Sequence, residues 1–228
     1  MNWISLFFFI LTVILYFLAK KIYERKPFFL FSPIIFVPCI IISVLLISGM
    51  SFDEYYYYTK YLVWMLGPIT ITFAIPLYQY GHLIKHYFKV LCITSLVAII
   101  TGLLSSYLFA YLFSFNDVIS KSLYVRSVSI PFALTITEQI QGSLSLVPLF
   151  TVITGLVGMI CGDIILGKSS KRYILANGSA LGNAAHAMGV AKAQQRDIQE
   201  AVIASLSLII SGVLLVVLSC LFLLFSQT

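Results

Sequence analysis

Residues 173–197 read YILANGSALGNAAHAMGVAKAQQRD, with no formal charge from Tyr173 to Ala191. The stretch is about as long as a membrane span, yet it offers lipid no bulky apolar face. Gly178, Gly182 and Gly189 alternate with alanines, Asn177, Ser179 and Asn183, and one ionisable side chain, His186, sits near the middle. Small residues allow close backbone approach, and polar side chains at membrane depth need partners. The stretch therefore predicts a protein-buried, broken or re-entrant helix beside a solute path.

The rest of the chain supplies the membrane. Of its 228 residues, 61% are hydrophobic and only 10% charged, and mean hydropathy is +1.03. An ordinary soluble domain is excluded. Windows without formal charge cover 1–19, 27–52, 61–84, 90–116, 139–162 and 201–228, and most can cross a hydrocarbon core of about 30 Å as a helix. The expectation is one integral membrane domain over 1–228, with two N-terminal spans in 1–60 and a core in 61–228. The net charge of +6 comes from basic residues at segment ends, not from a stripe interleaved with aromatics, so nucleic acid is not an expected partner. Cys39, Cys92, Cys161 and Cys220 lie in apolar windows without metal-ligand spacing and read as small buried hydrophobes. Basic residues follow the first apolar stretch instead of preceding it, which does not fit a cleavable signal.

Loop charges set the topology. Spans are predicted near 3–19, 28–50, 61–80, 90–113, 146–166 and 199–225. Lys20, Lys21, Arg25 and Lys26 after the first span place that loop inside and the N-terminus outside. If 127–145 crossed fully, Lys168, Lys171 and Arg172 would fall outside. If it dips in from the outer side and 173–191 dips in from the inner side, 11 of the 14 basic residues lie inside and both termini lie outside. The predicted fold class is an all-α polytopic membrane protein of about six transmembrane helices plus two broken or re-entrant helical segments entering from opposite faces. Non-helical backbone at membrane depth is tolerated where protein or a wet cavity shields it. Secondary transporters build sites in this way, often through inverted repeats. No sequence repeat is evident here, so inverted symmetry is a conjecture.

The second dip, VRSVSIPFALTITEQIQG over 125–142, carries most of the remaining polar chemistry. Pro131 is predicted to interrupt any helix begun near Ser127. Arg126 stands at the entrance, where a guanidinium can hold a carboxylate bidentately; the plainer reading is an interfacial anchor. Ser127 and Ser129 supply hydroxyls. Glu138 is either a proton carrier or an interfacial acid, and His186 either an anion donor and proton relay or a structural imidazole. Gly178 and Gly182 form a G-x-x-x-G pair which, with Asn177, Ser179 and Asn183, predicts a helix break whose free N–H groups suit a carboxylate. Asp163 and the Pro68/Pro76 pair read as interface and kink features, and Tyr55–Tyr58 as an aromatic belt. No nucleophile-and-base pair, metal-ligand motif, P-loop or dinucleotide fingerprint is present, so neither an enzyme nor a cofactor is expected.

These segments, with Leu66-Gly67-Pro68 and Ile75-Pro76-Leu77-Tyr78, resemble the LrgB/CidB family, whose hallmarks are similar to K-S-V-T-T-P-I-A…S-E-Q-I-G-G and G-T-A-S-H-x-x-G-T-A-R. They stand here as Arg126 to Ala133, Thr137 to Gly142 and Gly182 to Lys192, and the similarity runs from about residue 61 to the end. The family lysine is Arg126, a threonine is Ile130, the first glycine of the pair is Gln141, and the last arginine is Lys192. The resemblance implies a bacterial plasma (inner) membrane protein working with a small LrgA/CidA-like membrane protein. Such proteins are named for murein hydrolase control by analogy with holins and antiholins. Related pairs and plastid fusions are associated with pyruvate, glycolate or glycerate.

Together these readings predict a carrier of small monocarboxylates such as pyruvate. Arg126, Ser127, Ser129, Asn183 and His186 would bind substrate, and Glu138 or His186 would carry a coupled proton. Pro131, Gly178, Gly182 and Gly189 would shape the breaks, and the expected partners are membrane lipid, the small membrane protein and further copies of the chain. The alternative is a holin-like pore or regulator of murein hydrolases.

Overall fold

A computed structural model describes residues 3–26, 29–65, 67–68, 71, 74–167 and 173–226. Among them the chain is helical, with no strand, and it divides into two compact units, Met1–Pro68 and Ile69–Thr228. Leu66, Lys168, Lys171 and Arg172 lie outside the described residues, as do the side chains of Asp163, Pro76 and Leu77.

The first unit is built from α1 (Trp3–Arg25), α2 (Pro33–Ser48) and α3 (Phe52–Trp64). Helix α1 has 23 residues, about 35 Å at 1.5 Å per residue, which suffices to cross. Helix α2 opens on a proline, whose missing N–H is harmless in the first turn, and closes on Gly49 at φ 64°. A capping box starts α3: Glu54 N donates to Ser51 Oγ at 3.3 Å and Ser51 N to Glu54 Oε2 at 3.1 Å. Ala19, Val37 and Ile41 form the core, and Tyr55 meets Thr12 across 3.3 Å between hydroxyls.

The second unit runs through α4 (Ala74–Gln79), α5 (Gly81–Leu112), α6 (Asp117–Tyr124), a 3-10 turn at Val125–Ser127, α7 (Ile130–Ile140), α8 (Leu146–Leu166), α9 (Ile174–Arg196) and α10 (Ile198–Ser226). Helices α1, α5, α8 and α10 are long and apolar enough to cross a membrane. Half of the most apolar stretch of α10 is buried, against 17% in α5 and 12% in α8, so α10 is the central pillar of this unit. Its core gathers Ile99, Val128, Ala133, Ile136, Val147 and Leu215. The expected crossing at 61–80 falls partly outside the described residues; α3 ends at Trp64 and α4 starts at Ala74.

The dip expected at 173–191 folds back on itself, whereas the one expected at 127–145 supplies only α7, the second leg of a hairpin whose first leg, α6, precedes it. A straight 23-residue α9 would separate Asn177 from Arg196 by almost 30 Å. Instead Asn177 and Arg196 both bond Glu200, at 3.0 and 2.8 Å. The reversal is at His186, whose φ 52° and ψ −132° break the helix. Just behind it, a Cβ at Gly189 would strike the Leu181 carbonyl, so the two legs touch backbone to backbone. The ingoing leg lies equally close to α10, where a Cβ at Gly182 would strike the Ala204 carbonyl and one at Gly178 would lie 2.6 Å from the Glu200 carbonyl. The glycines thus allow contact, and the break itself falls on histidine.

In the other hairpin, Ser143 N donates to Ser122 Oγ at 2.7 Å, closing 122–143 into a loop that leaves where it enters. Asn116 caps α6 by accepting from Ile119 N at 2.9 Å. Val128 and Ser129 are extended, and Pro131 lies in the first turn of α7, so it opens that helix instead of interrupting one.

Candidate anion cleft between two helical hairpins

The tips of the two hairpins meet. The 3-10 turn carries Arg126, and the Arg126 carbonyl lies 3.3 Å from His186 Nε2. A carbonyl only accepts, so Nε2 carries the donated proton. Beside this junction is an open cleft of about 760 Å³ between α5, α8, the 3-10 turn and the ingoing leg of α9. Its polar lining includes Thr101, Ser105, Arg126, Ser127, Thr154 and Asn183.

Arg126 is held by hydroxyls. Its Nε donates to Ser106 Oγ at 3.1 Å, Nη1 to Thr154 Oγ1 at 3.0 Å and Nη2 to Ser105 Oγ at 2.9 Å. Ser105 donates its proton to the Gly102 carbonyl and Ser106 to the Leu123 carbonyl, both at 2.9 Å, which turns their lone pairs to the guanidinium. The Phe109 ring, 5.8 Å from Cζ, adds a cation–π contact. A guanidinium has five N–H groups, and these bonds leave two of them. Among the described residues no carboxylate pairs with Arg126. The arrangement fixes the direction of the fork and leaves its charge uncompensated, which suits a small anion in the cleft.

Buried polar atoms without partners cluster close by: Ser127 Oγ, Ser129 Oγ and His186 Nδ1. The residues are 8%, 6% and 4% exposed. A buried hydroxyl or imidazole left unsatisfied is costly, and a polar ligand or water would relieve it. Asn183 turns its Oδ1 to Ser95 Oγ at 3.2 Å.

Of the residues singled out from sequence, Arg126, Ser127 and Asn183 share the cleft wall, His186 touches Arg126 from behind, and Ser129 is buried at the start of α7. Glu138 is on the exposed side of α7 and outside the cleft lining. Sequence reasoning missed Ser105, Ser106 and Thr154. Hydroxyls are ordinary in apolar helices, and nothing in the local sequence marks these as ligands of Arg126. It also missed Glu200, which is fully buried; at the head of a span its local sequence is that of any interfacial charge. The four cysteines are free but not buried as expected: Cys92 is half-buried and Cys39, Cys161 and Cys220 lie exposed on their helices, and among the described residues no cluster of metal-ligating side chains occurs.

Comparison with known proteins identifies the family. Residues 12–225 match the LrgB-like family. YwbG of Bacillus subtilis is 31% identical over 211 residues, 92% of each chain. The holin-like protein CidB of Staphylococcus epidermidis is 28% identical over 205 residues, 90% of each chain, and that of Staphylococcus aureus 28% over 214 residues, 92% of each. No solved structure matches. The match covers both hairpins, part of α1 and nearly all of the other three long apolar helices, so it begins well before the residue-61 limit of the resemblance, and this multi-pass membrane protein belongs to the LrgB-like family.

Proposed function

We propose that the chain carries small monocarboxylates of the pyruvate class across the bacterial plasma membrane, with a small LrgA/CidA-like membrane protein as partner. The observation behind this reading is Arg126, a cation fixed by three hydroxyls on a cleft wall with no acidic partner among the described residues. A carboxylate would take its two remaining N–H groups, and Ser127 and Asn183 would receive the rest of the molecule. Two hairpins meeting inside the unit offer the discontinuous helices from which carriers build midplane sites.

Proton coupling is assigned to His186, which joins the tips, with Glu138 as the second candidate. Uptake of labelled pyruvate into proteoliposomes, with and without a proton gradient and with and without the small partner, tests the reading. Saturable, gradient-sensitive uptake competed by lactate supports it. Retention of gradient-driven uptake by Glu138→Gln would remove Glu138 from the mechanism.

The relatives named holin-like favour a second reading, a pore or a regulator of murein hydrolases. Leakage of unrelated solutes graded by size would select the pore. No flux with the partner present would select the regulator.

A further inference from the structure

The base of hairpin α9 holds a buried charge cluster that the anion cleft does not use. Glu200, 0% exposed, accepts from Asn177 Nδ2 through Oε1 at 3.0 Å and from Arg196 Nε through Oε2 at 2.8 Å. Arg196 Nη2 also donates to the Leu166 carbonyl at 3.1 Å. Four chain ends are therefore tied at one point: the end of α8, the start of the ingoing leg, the end of the outgoing leg and the start of α10.

An ion pair whose acid is fully buried while its base is only partly exposed is a poor device for stability, because desolvation offsets much of its attraction and apolar replacements are often as stable. Its advantage is a defined geometry with a definite broken state. Between the ingoing leg and α10 the backbones meet at Gly178 and Gly182, and the Ile203 side chain packs over Gly178, so the leg is seated closely on α10 right beside the clasp. The opposite side of that leg forms the cleft wall with Ser179, Ala180 and Asn183, and its tip carries His186 to Arg126. Displacing the leg would alter the cleft and the junction of the tips together.

We propose that Asn177, Arg196 and Glu200 form a clasp that positions the ingoing leg of α9, so that its opening sets how fast the cleft exchanges between the two sides of the membrane. The three are positioning residues and touch no substrate. The inference rests on the transport reading only for its consequence, since leg movement can be read without any substrate.

The probe is Ser179→Cys, now 3% exposed, in the full chain with Cys39, Cys92, Cys161 and Cys220 replaced by serine. Its rate of maleimide labelling in proteoliposomes is measured with the clasp intact, with Glu200→Gln and with Asn177→Ala, the milder variant that leaves the ion pair in place. A probe at Ala133→Cys, 0% exposed in α7, reports general loosening. Labelling at position 179 should rise about threefold or more in both variants, as expected for a shift toward an opened minor state, with position 133 silent. Pyruvate uptake should change in maximal rate with little change in half-saturation. Unchanged labelling at 179 in both variants, or equal increases at 179 and 133, would overturn the clasp. Absence of pyruvate flux in the parent protein would overturn the transport reading while the labelling still decided the clasp.

Discussion

At the scale of the residue, Arg126 and His186 make opposite use of burial. Arg126 keeps its charge in a half-buried position because three hydroxyls and a ring take the place of water. A lysine there presents a point charge and cannot make three fixed bonds together with a bidentate contact to ligand. Arg126→Lys should therefore raise the half-saturation for pyruvate by about tenfold or more, the loss of one charge-assisted bond of about 1.5–3 kcal/mol. Arg126→Gln should abolish saturable uptake, and both are measured in proteoliposomes. His186 holds a backbone conformation that glycine adopts freely and L-residues rarely do. In a continuous helix alanine is more stable than glycine by about 0.8–1.0 kcal/mol; at this break the order should invert. His186→Gly should have a higher thermal midpoint than His186→Ala, with uptake lost in both. The ordinary helical order would show that the chain does not turn at residue 186.

At the scale of the element, the hairpin of α9 and the second leg α7 of the other hairpin were legible from composition, while the short first leg α6 was not. The small-residue stretch was read as a helix broken at glycine. Gly178, Gly182 and Gly189 instead sit inside helical legs, where each permits backbone contact with a neighbour. Gly182→Val should lower the thermal midpoint of the purified protein, because overpacking against the Ala204 carbonyl carries a penalty of about 1–3 kcal/mol. The end of α7 gives a contrasting case. Gln141 has φ 60° at the position where the resembling motif carries glycine, and a left-handed conformation costs an L-residue about 1–2 kcal/mol. Gln141→Gly should raise the midpoint, and a drop would remove the left-handed turn from the description. Pro131 was expected to stop a helix and begins one, since proline is as well suited to a first turn as it is unsuited to an interior.

At the scale of the whole molecule, the charge distribution proposes that the hairpin at 117–140 enters from outside, the hairpin at 174–196 enters from inside, and both termini lie outside. In intact cells carrying the chain without its four native cysteines, Asp117→Cys should react with a membrane-impermeant maleimide, and Gln194→Cys only after permeabilisation. Reaction of both, or of neither, before permeabilisation would place the hairpins on one side.

The amino-acid sequence was enough to determine that the chain is all-α and membrane-spanning, where its two polar segments lie, and that Arg126 and His186 belong to them. Hydrophobic windows, charge clusters and small-residue runs are local properties, and the bilayer turns local properties into spans. Only the tertiary structure decided that Ser105, Ser106 and Thr154 hold Arg126, that the helix reverses at His186, that Glu138 faces away from the cleft, and that Glu200 is buried between Asn177 and Arg196. The partners of Arg126 stand 20 to 28 residues from it along the chain, and Ser95 and Asn183 are 88 apart. A hydroxyl in an apolar helix has the same local surroundings in the sequence whether it faces lipid or a guanidinium. The packing of distant helices makes that choice.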